Sequence, residues 1–130
     1  MKKNKGMTLV ELMIVISIIG ILGAVAYPAM TSYLKAGERA DGVSALLELA
    51  QKMEKYYLVN DSYASASITT LLGSTKSKEA KYDLAFEGTP DAYGYVLKAT
   101  PVDTDPECGS LTLSSIGEKD TSTSSADLCW

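Results

Sequence analysis

The sequence predicts an α+β fold: a long N-terminal helix, apolar in its first half and amphipathic in its second, packed on a small antiparallel sheet of three to four strands. Three observations carry this. Residues 7–27, MTLVELMIVISIIGILGAVAY, are an almost unbroken apolar run. Residues 30–58 then space their apolar side chains at three and four residues, the period of a half-buried helix. From residue 82 onward the apolar side chains alternate between turn residues, as strands do.

At about 1.5 Å per residue, a helix over the first run is roughly 31 Å long, close to the ~30 Å of a bilayer core. A single span must satisfy its own backbone in lipid, and only a helix does so. The competing reading, a buried helix, asks for more surrounding core than a 130-residue chain this polar supplies. The flank MKKNKG places Lys2, Lys3 and Lys5 before the run, which holds that end in the cytoplasm and sends the remainder across. An ordinary secretory signal carries a small-residue cleavage site after its apolar region. Here Gly6 precedes it, so a cut after Gly6 removes only the basic leader and exposes Met7 as the new first residue. An uncleaved single-pass anchor is the other reading of the same charges.

Glu11 is the one carboxylate in the run. At mid-bilayer an acid is about 2.5–3.5 kcal/mol uphill, less near the interface. Glu11 lies four residues from Met7, roughly 6 Å along the axis. It either reaches back to the headgroups and the helix N-terminus, or it awaits a cation, such as the ammonium that cleavage would create on Met7. Gly20, Gly23 and Pro28 weaken the same helix, by about 1 kcal/mol for each glycine and about 3 for proline, and predict a kink between Gly20 and Pro28. Tyr27 and Tyr33 suit a membrane interface.

In the amphipathic half, Ala36, Ala40, Val43, Leu47 and Ala50 form the apolar stripe, widened by Leu46, Met53 and Tyr57. Lys35, Glu38, Arg39, Asp41, Glu48, Lys52 and Lys55 read as a solvated face. Asn60, Asp61 and Ser62 mark the helix stop. Residues 64–81 read as a connecting loop with one helical turn, broken by Gly73. Tyr82, Leu84 and Phe86 share one face of a first strand. After the turn GTPD, Tyr93, Tyr95 and Leu97 share a face of a second, making an antiparallel hairpin. Ser110–Ser114 forms a third strand with Leu111 and Leu113 inward, and Gly117 permits a turn. Residues 120–125 read as a polar surface loop.

Cys108 and Cys129 are the two cysteines. The topology puts them outside the cytoplasm, where a disulfide persists, and closing a loop of that size constrains the unfolded chain by around 3 kcal/mol. The sequence has no histidine, no nucleophile elbow, no Walker loop and no dinucleotide fingerprint, so neither enzyme, metal nor cofactor is expected. Asp103, Asp105 and Glu107 lack the glycine-containing loop and distal Glu of an EF-hand and read as an exposed turn. Without Lys2, Lys3 and Lys5, the 12 basic residues fall to 9 against 16 acidic ones, a formal charge of −7. Repulsion of that size disfavours nucleic acid as a partner; Lys76, Lys78 and Lys81 keep a loop soluble.

These residues carry a resemblance. The string KG-MTLVELMIV resembles the leader-and-helix signature of type IV pilins and their pseudopilin relatives, with a basic leader ending in Gly, an apolar first mature residue and Glu at the fifth. Met7 stands where the family often has Phe. The runs ERADGVSALLELAQKMEKYYLVNDSYA and ECGSLTLSSIGEK, with the closing LCW, are similar to minor type IV pilins. The resemblance implies a pilin fold divided into a leader (1–6), a transmembrane and assembly helix (7–29) and a globular domain (30–130). It implies a prepilin peptidase that cuts between Gly6 and Met7 and methylates the new amine. It further implies that Glu11 pairs with the amine of a neighbouring subunit, and that residues 20–28 lose helical order in the filament. The expected partners are other pilin subunits, the peptidase and the pilus assembly machinery of the inner membrane. The expected path runs from a single-pass precursor, with its globular domain in the periplasm, to an extracellular pilus serving motility or adhesion. A type II secretion pseudopilin and a membrane-anchored adhesin that never polymerises are the alternatives.

Overall fold

The computed structural model describes residues 6–130; the leader lysines Lys2, Lys3 and Lys5 lie outside the described residues. Helix α1 spans Leu9–Asn60 and its assignment continues through Gly20, Gly23 and Pro28. The chain divides into two compact units, the first ending at Leu34 and the second, the head, covering Lys35–Trp130. In the first unit, residues 6–34, every side chain is exposed. Ser17 and Thr31 turn their hydroxyls back onto the carbonyls of Met13 and Pro28 at 2.7 and 2.9 Å. These two hydroxyls are thus satisfied within the helix, as lipid or a dry helix bundle demands.

In the head, α1 lies on a four-stranded antiparallel sheet in the order β1-β2-β3-β4, built from β1 (Tyr82–Phe86), β2 (Val96–Pro101), β3 (Leu111–Ser114) and β4 (Lys119–Thr121). Register sets the apolar rows: Leu84 faces Ala99, which faces Leu111, and Phe86 faces Leu97, which faces Leu113. These rows meet Ala45, Leu46, Leu49 and Met53 of α1 in one core that also takes in Tyr82, Tyr95 and both cysteines. At Gly42 the sheet packs directly on the helix backbone. A Cβ built on it would stand 2.9 Å from the Tyr82 ring, and burial there pushes the Tyr82 hydroxyl up to about 12.

The buried face of α1 matches the expected stripe in part: Leu46 and Met53 are buried, and Val43, Ala50 and Tyr57 pack against the core. Gly42, Ala45, Leu46, Leu49 and Met53 are buried, whereas Ala36, Ala40 and Leu47 are exposed and Val43 and Ala50 half-buried. Gly42, with no side chain, leaves room for the Tyr82 ring, and Ala45, Leu46, Leu49 and Met53 continue the face that meets the sheet.

Beyond α1, Asp61 takes the left-handed conformation (φ 54°) that ends the helix, one residue after Asn60, whose side-chain amide donates to the carbonyl of Tyr56. The expected helical turn is α2 (Ile68–Leu72), closed by Gly73 at φ 78°. The second strand starts later than expected. The Asp91 carboxylate accepts from the backbone N–H groups of Tyr93 and Gly94 at 2.7 and 2.8 Å, and this side-chain turn holds 91–94 out of the ladder. Tyr93, expected inward beside Tyr95 and Leu97, is 89 % exposed. The loop expected over residues 120–125 is also corrected: Lys119–Thr121 pairs with β3, and helix α3 covers Ala126–Cys129. At this outer strand the Thr121 N–H donates to Asp120 Oδ1 and the Trp130 indole donates to the Asp120 carbonyl.

Gly42→Ala adds the methyl group against the Tyr82 ring and should lower stability by about 1–3 kcal/mol. Gly37→Ala, on the same helix with nothing within 4 Å of its built Cβ, should raise it by about 0.5–1 kcal/mol. Thermal unfolding followed by circular dichroism compares the two; equal shifts would show that the Gly42–Tyr82 contact is slack.

Candidate functional site

The first turn of α1 positions Glu11. The Thr8 backbone N–H and hydroxyl both donate to Glu11 Oε2 at 2.8 Å, and the Glu11 N–H donates to the Thr8 hydroxyl at 3.2 Å. This is a capping box: the carboxylate three residues into the helix satisfies donors that the helix start leaves open. The T-x-x-E spacing at 8–11 was readable as such. Glu11 thus already has donors on its own chain while remaining exposed, and an ammonium could still reach its carboxylate. Gly6 and Met7 precede the helix, both exposed, so the bond between them is accessible. Gly20 and Gly23 present bare backbone with nothing within 4 Å of their built Cβ positions. Pro28 sits inside α1, and its carbonyl is taken by Thr31. From Leu9 onward α1 contains a stretch long and apolar enough to cross a membrane, none of it buried.

The head places the other site residues. Cys108 and Cys129 are joined, their Cα atoms 5.8 Å apart, and both are buried. Beside them stands a cluster that sequence reasoning missed. Arg39 donates through Nε and Nη2 to the two oxygens of Asp105 at 2.6 and 2.8 Å, and through Nη2 to Glu107 at 2.7 Å. Asp105 Oδ1 also accepts from the backbone N–H groups of Glu107 and Cys108 at 3.2 Å. Asp103 and Glu107 are exposed, as the expected turn requires, but the Asp105 side chain is 2 % exposed and forms a buried, bidentate ion pair that fastens this turn, next to Cys108, to α1. The Arg39 guanidinium holds the Asp105 carboxyl below its ordinary value, against the opposing effect of burial, and Asp105 in turn raises Arg39.

Other charges expected on a solvated face are paired as well. Glu38 bridges Lys35 and Lys81, at 2.7 and 3.2 Å, and Lys76 meets Asp83 at 2.6 Å. Glu54 accepts from the hydroxyls of Tyr63 and Tyr95 at 3.0–3.1 Å, under an edge-to-face contact between those two rings. Burial and Glu54 both push these phenols up. Among the described residues there is no cluster of three or more His, Cys, Asp or Glu that could hold a metal ion. What the arrangement supplies is an exposed apolar helix with one capped acid, on a head whose disulfide loop is locked to its helix.

An exposed apolar helix running into a small antiparallel sheet with a disulfide-bound loop is the architecture of a pilin. The family model described as "Type IV minor pilin ComP, DNA uptake sequence receptor" matches residues 28–112, and that of the prokaryotic N-terminal methylation motif matches residues 1–27. The chain belongs to this type IV minor pilin family, which is structural rather than enzymatic. It is 40% identical over 97 residues to the type IV major fimbrial protein FimA of Dichelobacter nodosus, covering 74% of this chain and 60% of that protein. It is 39% identical over 81 residues to a fimbrial protein of Neisseria meningitidis, covering 61% of this chain and 46% of that protein. The chain thus spans about half the length of the curated relatives it matches. In fold it resembles the non-core minor pilin PilV of Neisseria meningitidis, with a TM-score of 0.56 at 20% identity, over 71% of this chain and 90% of that one.

Arg39→Ala leaves Asp105 buried without its partner and should destabilise the head by about 3 kcal/mol. Because the folded pKa of Asp105 is lowered, its contribution is complete above its ordinary value of 3.8 and is lost as pH falls through the lower folded value. Acid unfolding curves should therefore steepen below about pH 4 in the parent chain. Asp105→Asn should lose part of that slope; an unchanged slope would place the acid sensitivity elsewhere.

Proposed function

We propose that this chain is a minor subunit of a type IV pilus, made as a single-pass inner-membrane precursor and assembled through residues 7–29. Prepilin peptidase removes residues 1–6 between Gly6 and Met7 and methylates the new amine. The exposure of that bond and the match to the N-terminal methylation motif support this step. The head, residues 30–130 in this division, lies in the periplasm before assembly and on the filament afterwards. The observation that carries the reading is the wholly exposed apolar helix with Glu11 near its start. Such a surface is stable in lipid or against other helices and nowhere else. The Thr8 donors hold the Glu11 carboxylate at the helix end, and the amine of a neighbouring subunit completes its coordination. Residues 20–28 are the part of the helix that yields when the filament forms, since two glycines and Pro28 leave it least reinforced.

The description of the matched family as a DNA uptake sequence receptor gives a second reading, with the head as a DNA-binding surface. The charge of this chain speaks against it: 9 basic against 16 acidic residues after Gly6, with Arg39, Lys35, Lys76, Lys81 and Lys98 each within 4 Å of a carboxylate. Titration of a labelled DNA duplex with the chain at two salt concentrations separates the readings. A salt-sensitive rise in anisotropy would favour DNA capture.

Intact mass spectrometry of the chain recovered from cells should show residues 1–6 missing and one methyl group added. Glu11→Ala should insert in the membrane normally yet be depleted from sheared filaments. A mature chain that retains its lysine leader, or full incorporation of Glu11→Ala, would overturn the corresponding step.

A further inference from the structure

Two separate sets of contacts hold the two halves of the disulfide. On one side, Asp105 caps the turn that carries Cys108. Its Oδ1 accepts from the N–H groups of Glu107 and Cys108 at 3.2 Å, and its carbonyl accepts from the Gly109 N–H at 2.9 Å. Arg39 grips both oxygens of that carboxylate. None of these bonds involves sulfur, so they tie the Cys108 backbone to α1 independently of the S–S bond. On the other side, Cys129 lies in α3, and the adjoining Trp130 fixes that short helix to β4. The indole N–H donates to the Asp120 carbonyl at 3.2 Å, and the Lys119 ammonium lies 5.1 Å from the ring centre. The two sulfurs also differ in access. Cys108 is wholly buried, whereas Cys129 is 5 % exposed and lines a concavity of about 430 Å³ beside Arg39, Val43 and Leu128.

We propose that the disulfide is a latch with divided roles: Cys129 exchanges with an oxidant, Cys108 resolves the intermediate, and the Arg39–Asp105 pair positions Cys108 for that step. In the reduced head, the Cys129 thiolate attacks a disulfide-bearing oxidant from the concavity, expels one thiol and leaves a mixed disulfide at Cys129. The Cys108 thiolate then attacks the Cys129 sulfur, forms the S–S bond and expels the second thiol. The head gives up two electrons and two protons, and the oxidant takes them up as two thiols. The order follows from access, since Cys108 has no opening to an oxidant, yet its Cα stands 5.8 Å from that of Cys129. The ion pair orders residues 105–109 before the bond exists, so closure costs little further entropy. Without Arg39 this turn is free while reduced, and oxidation has to order it. The coupling is reciprocal: a pair that favours the bond is favoured by it to the same degree. Reduction thus frees α3 first, while the turn at Asp105 stays on α1.

Two measurements on the full chain in detergent test this. In the first, oxidised glutathione is offered to Cys108→Ser, which keeps Cys129, and to Cys129→Ser, which keeps Cys108. Mass spectrometry should show Cys129 taking up glutathione about tenfold faster than Cys108 in the folded chains, and both reacting alike in guanidinium. Equal rates in the folded chains, or a faster Cys108, overturn the division of roles. In the second, the disulfide is equilibrated against dithiothreitol. Arg39→Met and Asp105→Asn should each lower the equilibrium constant about tenfold, a shift of about 30 mV. Met53→Ala, a core truncation fourteen residues along α1 from Arg39, destabilises both redox forms alike and should change the constant less than about twofold. A shift from Met53→Ala equal to that of the other two, or no shift from either Arg39→Met or Asp105→Asn, overturns the positioning role.

Discussion

An apolar helix that nothing covers is the constraint from which the remaining features of this chain follow. Residues 9–34 carry their hydrophobic surface outward all round, so water is the one environment they do not tolerate. A lipid bilayer and a bundle of like helices both accept them. Near the start of that helix stands an acid, and one of its oxygens, Oε2, is engaged twice by Thr8. That arrangement lowers the penalty of carrying a carboxylate into an apolar setting while keeping it within reach of a second donor.

The head answers a different problem. With four short strands it has a small core, and three devices reinforce it. Tyr82 packs directly on the backbone at Gly42, so helix and sheet are as close as a side chain permits. The disulfide joins Cys129 of α3 to Cys108 in the loop before β3, with both held in the core. The Arg39–Asp105 pair then ties that loop to α1 across 66 residues of sequence. The pair is buried and bidentate, so its value lies as much in fixing one arrangement as in net stability.

What the sequence disclosed and what it hid divide along physical lines. Patterns that are local and periodic were legible: the apolar run with Glu11, the alternation of Tyr82, Leu84 and Phe86, the inward Leu111 and Leu113, and the partnership of Cys108 with Cys129. Interactions that leave no local pattern were not. Arg39 has the same appearance in sequence as its solvated neighbours, and only the fold brings Asp105 to it. Gly42 reads as a weak helix residue, yet the Tyr82 ring packs on it, and of the expected stripe only Val43 and Ala50 with Leu46, Met53 and Tyr57 reach the core. Strand β4, Lys119–Thr121, has no apolar residue and so no alternation to detect; it exists because β3 offers it a ladder. Tyr93 follows the period of its strand but loses to the side-chain turn at Asp91.

Strand β4 has a further meaning as the outer border of the sheet. It is three residues long, carries a lysine and an aspartate, and its Thr121 N–H is already occupied by the neighbouring carboxylate while the Trp130 indole leans on the adjacent carbonyl. A sheet border finished in this way offers little for a foreign strand to zip onto. Such an edge lets heads sit at high local concentration without knitting into cross-β aggregates.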